Sequence, residues 1–276
     1  MKSPAFPITD DHIHIDPVNG RGIVAAKDFL KAGGTHMFLV SKPSWSLSVH
    51  PKCGADYSRV FDETIRIAEM VTGIGLVVYT VLGVHPAEIS RLTERMSLLE
   101  AATVMKAGLD CAARYVHEGK AVALKSGRPH YDVDPDILAV SNDVLLHALN
   151  LSAECGCALQ IHAESGPCTD IVEMALTAKV PIERVVKHYG SPETPLHPSL
   201  IAKHEAIPRL AREKRPFTME SDYMDENSRP GAVIGPKSVP RYTNILLNNG
   251  LISHEDCFRI HAETIEKVYG VVITLG

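Results

Sequence analysis

The sequence predicts a (β/α)8 TIM barrel that forms a single domain over residues 1–276. Short apolar runs of strand length alternate with amphipathic helical stretches about eight times along the chain. The length of 276 residues also suits such a barrel, which typically has roughly 250. A doubly wound open sheet is the main alternative. That fold usually carries a glycine-rich phosphate turn after its first strand, where this chain has HIHIDPVNG.

The strands are predicted in order from short apolar runs that are bounded by turn-forming residues. The first strand ends within residues 8–16 (ITDDHIHID). The others are residues 35–41, 75–84, 120–126, 158–162, 184–188, 198–203 and 216–222. The patterns of the last two are weaker than those of the first six.

The helices are predicted from apolar residues that recur at helical spacing, and the first of them ends at the helix stop Gly33-Gly34. They are residues 22–31, 57–71, 87–117, 136–155, 169–179, 204–214, 241–248 and 254–269. We expect the long stretch 87–117 to break near Gly108. The loop over residues 42–56 is long for a strand-to-helix connection, and such loops are often functional.

Composition excludes some classes of protein. The formal charge of −5 and the pI near 6.3 give no bulk attraction to nucleic acid or to an anionic membrane. The N-terminal segment is polar and interrupted by Pro4 and Pro7, so it lacks the apolar region of a secretion signal. The longest apolar run, residues 73–84, is shorter than the roughly 20 residues that cross a bilayer. We therefore expect a cytoplasmic protein without a membrane partner, whose six cysteines are reduced thiols.

Residues that can bind metal fall at the ends of the predicted strands. His12 and His14 lie two apart on the first strand, so both imidazoles point to one face and can reach one ion. The later strand ends carry Lys125, His162, His188 and Asp222. In a closed barrel the carboxyl ends of the strands surround one mouth, where barrel enzymes hold their active sites. The six side chains are therefore expected to converge on one site.

This pattern resembles the amidohydrolase superfamily and, within it, the TatD-like metal-dependent hydrolases. The similar segments are DHIHID at the start, GVHP at 83–86, QIHAES at 160–165, VVKHYG at 185–190, ESDYMD at 220–225 and HAETIEKVYG at 261–270. The resemblance implies a barrel hydrolase with two divalent ions, zinc in the first place and manganese, magnesium, iron or nickel as alternatives.

One residue departs from the TatD-like pattern. TatD-like proteins have a glutamate that bridges the metals at the end of strand four, and Lys125 stands at that position here. Phosphotriesterase-like and dihydroorotase-like members of the superfamily use a lysine there, which carbon dioxide converts to an anionic carbamate. The resemblance therefore implies a carboxylated Lys125. The change is chemically reasonable, because an ammonium group beside two cations is disfavoured whereas a carbamate supplies two oxygens.

The resemblance assigns a role to each residue, as a hypothesis. His12, His14 and Asp222 bind the buried ion, His162 and His188 bind the more exposed ion, and Lys125 bridges the two. Asp222 also accepts the proton of the attacking water. His85 and Arg128 lie just past strand ends and are expected to contact the substrate. Trp45 and Tyr223 are candidates for the pocket wall.

Three functions stay open at this point. The first is a binuclear hydrolase whose substrate is either a phosphodiester, such as a DNA or RNA end, or a small cyclic amide, ester or lactone. The second is a mononuclear zinc deaminase of the same superfamily, with an unmodified Lys125 and with Glu164 moving protons. The third is a non-catalytic barrel that binds a ligand or a partner protein. Metal stoichiometry separates these functions.

Overall fold

The computed structural model describes residues 5–229 and 233–275. Within them, eight parallel strands follow one another around a single sheet in chain order, which excludes the doubly wound alternative and confirms the barrel. The strands are β1 (Thr9–Ile13), β2 (His36–Val40), β3 (Val77–Gly83), β4 (Ala123–Gly127), β5 (Ala158–His162), β6 (Val185–Lys187), β7 (His197–Ile201) and β8 (Thr218–Glu220). The two weakly patterned strands, β7 and β8, therefore exist.

The barrel closes through residues that lie just beyond β8. The backbone N–H of Asp222 donates to the carbonyl of His12 at 2.9 Å, and the N–H of His14 donates to the carbonyl of Tyr223 at 3.0 Å. Ile13 and Tyr223 form a parallel bridge between the same two segments. We call these contacts the β1/β8 seam.

The helices surround the barrel. They are α1 (Ile23–Lys31), α2 (Ser58–Thr72), α3 (Glu88–Thr93), α4 (Leu98–His117), α5 (Pro135–Cys155), α6 (Thr169–Thr177), α7 (Ile207–Arg212), α8 (Ser238–Asn248), α9 (His254–Phe258) and α10 (Thr264–Tyr269). One π-helical turn, Arg259–Glu263, joins α9 to α10, so the predicted helix 254–269 is helical throughout. None of the helices in the described ranges is both long and apolar enough to span a membrane.

The expected helix break near Gly108 is wrong. The break lies at residues 94–97, where Ser97 begins α4 with a capping box in which its side chain and that of Glu100 each accept from the other's backbone N–H. Gly108 lies inside α4 and packs against Tyr57 and Val84. A Cβ at this position would come within 2.5 Å of the Tyr57 ring, so this glycine permits close packing and does not stop the helix.

Alternation along the strands places the polar residues of the site inside the barrel. Leu124 of β4 and Leu159 of β5 belong to the largest hydrophobic cluster, which lies between the strands and the helices outside them. Side chains alternate along a strand, so the neighbouring Lys125 and Gln160 point into the barrel. Both are buried, and His162, two residues beyond Gln160, reaches the mouth on the same face.

Candidate metal centre

The carboxyl ends of the strands surround a cavity of about 450 Å³. Six of the eight residues predicted for the site line it, together with Lys187, Tyr189, Arg229 and the wall residue Trp45. The six are His14, His85, Lys125, His162, His188 and Asp222. A cavity of this size at this end of a barrel is typical of a small-molecule or chain-end site.

His12 is fully buried beneath the cavity floor and contacts the centre of the cluster. Its Nε2 lies 3.1 Å from Lys125 Nζ and 3.8 Å from Asp222 Oδ1. Its ring stacks on that of His188, with 4.0 Å between the centroids. Donor atoms of His12, His188 and Asp222 all lie within 4.8 Å of one another, which is close enough for one ion to be bound by all three.

Buried acceptors orient three of the imidazoles. His12 Nδ1 lies 2.8 Å from Gln160 Oε1, and His14 Nδ1 lies 2.8 Å from the carbonyl of Val40. His188 Nδ1 lies 3.2 Å from Glu220 Oε1. A carbonyl or carboxylate oxygen can only accept, so these contacts place the proton on Nδ1 and leave Nε2 with its lone pair. Metal-binding histidines are commonly held in this way.

Gln160 is itself fixed in one orientation. Its amide nitrogen donates to the carbonyl of Asp11 and to the hydroxyl of Tyr269, each at 2.8 Å. The amide oxygen therefore faces His12. Glu220 is held similarly, because it also accepts from the backbone N–H of Tyr189 at 2.8 Å.

Burial favours the neutral form of each titratable side chain in the cluster. It lowers the pKa of His12, His14, His85, His162 and His188 well below the ordinary value, and the Lys125 ammonium adds to each shift. Burial also lowers the pKa of Lys125 to about 8 and raises that of Asp222 to about 6. Imidazoles are thus neutral at pH 7, which is the form that coordinates metal.

The donor set fits divalent metal ions. Imidazole nitrogens with a carboxylate oxygen are the ligands of zinc and of related transition metals. His162 Nδ1 lies 2.9 Å from His188 Nε2, so these two residues offer neighbouring nitrogens on the more exposed side of the cluster. Lys125 contacts His12 and lines the same cavity as this pair.

Arg128 is placed differently from our expectation. It is buried and is not among the residues that line the cavity. Its guanidinium group donates to both carboxylate oxygens of Glu164, to Asp170 and, at 3.2 Å, to Asn142. This placement argues against the substrate contact that we expected and gives Arg128 a structural role. Arg128 also forms an ion pair with Glu164, the residue that would move protons in a deaminase.

His85 and Trp45 line the cavity as expected, whereas Tyr223 is not part of its wall. The His85 ring lies 4.8 Å from that of His162 and 6.0 Å from that of Trp45, and all three line the cavity. The hydroxyl of Tyr223 donates to Asp225 at 2.9 Å, and Tyr223 is not among the lining residues.

The sequence analysis missed several residues of the site. His130 lines the cavity, with its Nδ1 2.7 Å from His162 Nε2. Lys187 also lines it, and its ammonium donates to the carbonyls of Ala163 and His188, both at 3.1 Å. Gln160 lies two residues before the predicted ligand His162. Because period-two spacing gives both residues of such a pair the same face, this spacing could have found it.

A buried carboxylate fixes the loop that follows β8. Asp225 accepts from the backbone N–H groups of Asp16, Arg21 and Gly22 at 2.7–2.8 Å, in addition to the Tyr223 hydroxyl. This loop carries Asp222, whose φ of 45° is unusual for a residue other than glycine. The Asp225 contacts thus tie the segment after β8 to the segment after β1.

A closed (β/α)8 barrel with neutral histidines, an aspartate and a buried lysine gathered at its mouth defines a metal-dependent hydrolase. The family model described as TatD related DNase matches residues 9–270. The chain belongs to this family, as the resemblance implied.

The chain is also similar to one curated relative and to solved structures. The uncharacterized protein MJ1127 of Methanocaldococcus jannaschii is 33% identical over 284 residues, with 98% of each chain covered. The solved TatD homologue YjjV of Escherichia coli K12 has a TM-score of 0.63 at 15% identity, covering 96% of this chain and 98% of that one. A mutant PTE-like lactonase of Deinococcus radiodurans has a TM-score of 0.59 at 14% identity, over 96% of both chains. These two structures show the shared fold.

Proposed function

We propose that the protein is a binuclear metal-dependent phosphodiesterase that acts on the end of a nucleic acid strand. The charge of the cavity is the observation that carries this proposal. Among the described residues that line it, Asp222 is the one carboxylate and Lys187 and Arg229 are basic, while Lys125 is the proposed carbamate. The chain as a whole is acidic, with a formal charge of −5. With two divalent ions held by the ligands, the site would be positively charged on an acidic protein, and such a site selects an anionic group that is small enough to enter it.

The ligand assignment is the one that the resemblance implied. His12, His14 and Asp222 would hold one ion, and His162 with His188 would hold the other; the donors of His12, His188 and Asp222 lie within 4.8 Å of one another, so His188 lies close to both groups. Divalent ions held there would supply Lewis acidity and lower the pKa of water toward neutrality. Gln160 and Glu220 keep the ligating nitrogens of His12 and His188 directed at the site.

Lys125 is proposed to bridge the two groups of ligands as a carbamate. The lone pair of the neutral amine forms an N–C bond to carbon dioxide, one C=O π bond opens to leave the negative charge on oxygen, and the amine proton is released to solvent water. Burial supports this step, because Lys125 is only 2% exposed and a charged ammonium is costly to bury beside cations. Once formed, the carbamate balances positive charge that the histidines cannot.

The remaining residues handle the substrate and the proton. Asp222 Oδ1 accepts the proton of the attacking water and passes it to the leaving oxygen. Lys187 and Arg229 attract the phosphodiester charge, and His85 contacts a phosphoryl oxygen from its place on the cavity wall. The deaminase alternative has less support, because Arg128 holds Glu164 away from the cavity lining.

Metal analysis and a substrate panel test the proposal. We expect about two ions per chain and hydrolysis of bis(p-nitrophenyl) phosphate and of a short single-stranded DNA, with DNA cleavage decreasing as salt rises. Preferential hydrolysis of a lactone or a cyclic amide would refute the phosphodiesterase assignment, and one ion per chain would refute the binuclear centre.

A lysine variant tests the bridge. Lys125→Ala should lose activity and bound metal, and Lys27→Ala, which changes an exposed lysine of α1, should keep both. After incubation with 13C-bicarbonate, a carbamate carbon signal is expected in the NMR spectrum of the wild type and not in that of Lys125→Ala. Full activity of Lys125→Ala would discard the bridge.

A further inference from the structure

The chain has one tryptophan, and it lies on the wall of the cavity. Trp45 belongs to a short 3-10 turn, Ser44–Leu47, in the long loop after β2. A lone tryptophan at an irregular turn would ordinarily pack into the core. Trp45 is instead only partly buried, and its ring lies edge-on to His85, one of the residues proposed to contact the phosphoryl group.

The turn that carries Trp45 is held rigidly. The buried carboxylate of Glu88 accepts from the backbone N–H of Ser44 at 2.7 Å and from its hydroxyl at 2.9 Å. On the other side, the amide of Asn19 donates to the carbonyl of Ser46 at 3.0 Å. The backbone that carries the indole is therefore held in place before any ligand arrives, which lowers the conformational entropy lost on stacking.

A second aromatic residue lines the cavity from the opposite side. Tyr189 follows β6, which stands four places from β2 in the ring of eight strands. Its side chain is 56% exposed, and its φ of 50° is uncommon for a residue that is not glycine. Its backbone N–H is nevertheless fixed by Glu220. An exposed aromatic on a strained and tethered backbone is typical of a binding role.

We propose that Trp45 is the stacking platform for the nucleobase next to the scissile phosphate, with Tyr189 bounding the opposite side of the mouth. This inference rests on the proposed phosphodiesterase function and names which part of the substrate is recognised. Arg91 covers one face of the indole, with its guanidinium carbon 5.7 Å from the ring centroid, and Arg91 is not among the lining residues. Stacking tolerates every base, so it selects nucleotides without selecting a sequence.

The single tryptophan gives a direct binding assay. Thymidine 5′-monophosphate added to the metal-loaded protein should quench the Trp45 fluorescence in a saturable way, whereas 2-deoxyribose 5-phosphate, which lacks the base, should not. Equal quenching by both ligands, or none by the nucleotide, would overturn the platform. This readout does not depend on turnover.

Kinetics separate the platform from the proposed function. Thymidine 5′-p-nitrophenyl phosphate and methyl p-nitrophenyl phosphate share a leaving group, so they differ in the nucleoside alone. Trp45→Leu should raise KM for the thymidine substrate about tenfold and change KM for the methyl substrate less than twofold, and Trp45→Phe should retain most of the affinity. Phe258→Leu, which removes a partly exposed aromatic of α9, should alter neither.

The outcomes are distinguishable. If the wild type hydrolyses neither ester, the phosphodiesterase function fails. If it hydrolyses both and Trp45→Leu affects them equally, the function stands and the platform is wrong.

Discussion

Replacing Asp225 with Asn should destabilise the protein far more than the loss of one charge suggests. The carboxylate accepts four hydrogen bonds, two at each oxygen. Asn presents an NH2 group in place of one oxygen. If the amide oxygen of Asn keeps accepting from the N–H groups of Asp16 and Gly22, its NH2 group takes the place of the other oxygen. The NH2 group can donate to a reoriented Tyr223 hydroxyl, but it cannot accept from the N–H of Arg21, which is left without an acceptor.

The magnitude follows from these contacts. A polar group left without a partner away from water costs about 1–3 kcal/mol, and the two retained bonds lose their charge assistance. We expect Asp225→Asn to lower the free energy of unfolding by about 2–4 kcal/mol. For a urea slope of roughly 2–3 kcal/mol per molar, the midpoint falls by about 1 M.

The control is the same substitution at Asp28, which pairs with Arg21 at 2.6 Å on the surface. The side chains of that pair are 23% and 42% exposed, so Asp28→Asn should cost less than about 1 kcal/mol. Urea unfolding of the two variants, followed by circular dichroism, is the assay. Equal midpoints for Asp225→Asn and Asp28→Asn would refute the view that Asp225 fixes the loop after β8.

Three further predictions test the rest of the molecule. Gln160→Leu removes the acceptor of His12 Nδ1 and should weaken metal binding about 10–100-fold in a chelator competition, whereas Gln160→Glu, which keeps the acceptor but loses the donor to the Asp11 carbonyl, should weaken it less. Arg128→Lys loses the forked contact with Glu164 and should lower stability by about 1–3 kcal/mol while KM stays unchanged; a raised KM at unchanged stability would restore the substrate contact. Burial lowers the pKa of His261 to about 4, so between that pH and the ordinary 6.5 only the unfolded chain takes up a proton there. The free energy of unfolding should therefore decrease on acidification through this window, by up to about 1.4 kcal/mol per pH unit for this residue, and His261→Gln should flatten the decrease.

The barrel was predictable because its strands alternate in a regular order with helices. The place of the candidate site was predictable because its proposed ligands lie at strand ends, where barrel geometry brings distant segments together. The break in residues 87–117 was predicted at the wrong place, because a glycine that allows the Tyr57 ring to pack closely has the same letter as a glycine that ends a helix. The local signal for the true break is the S-x-x-E capping box of Ser97 and Glu100, which marks the start of α4.

The ion pairs of Arg128 were not predictable for a comparable reason. Position relative to a strand end predicts that a side chain is near the mouth of the barrel, but it does not tell with which neighbouring carboxylates that side chain pairs. Glu164 and Asp170 lie 36 and 42 residues further along the chain, so their contact with Arg128 depends on tertiary packing. His130 was missed for the converse reason, since a loop residue three positions past β4 follows no periodicity that would direct it to His162.

The β1/β8 seam joins the first strand of the chain to its last, and the proposed ligands His12, His14 and Asp222 lie on the two sides of it. Cations held there would connect both ends of the fold as well as activate water. Metal binding would then stabilise the closed barrel. We expect the backbone amides of the β1/β8 seam to exchange their hydrogens faster in the apoprotein than in the metal-loaded protein. A substitution that destabilises the β1/β8 seam, even one far from the cavity, is therefore expected to lower the affinity for metal first.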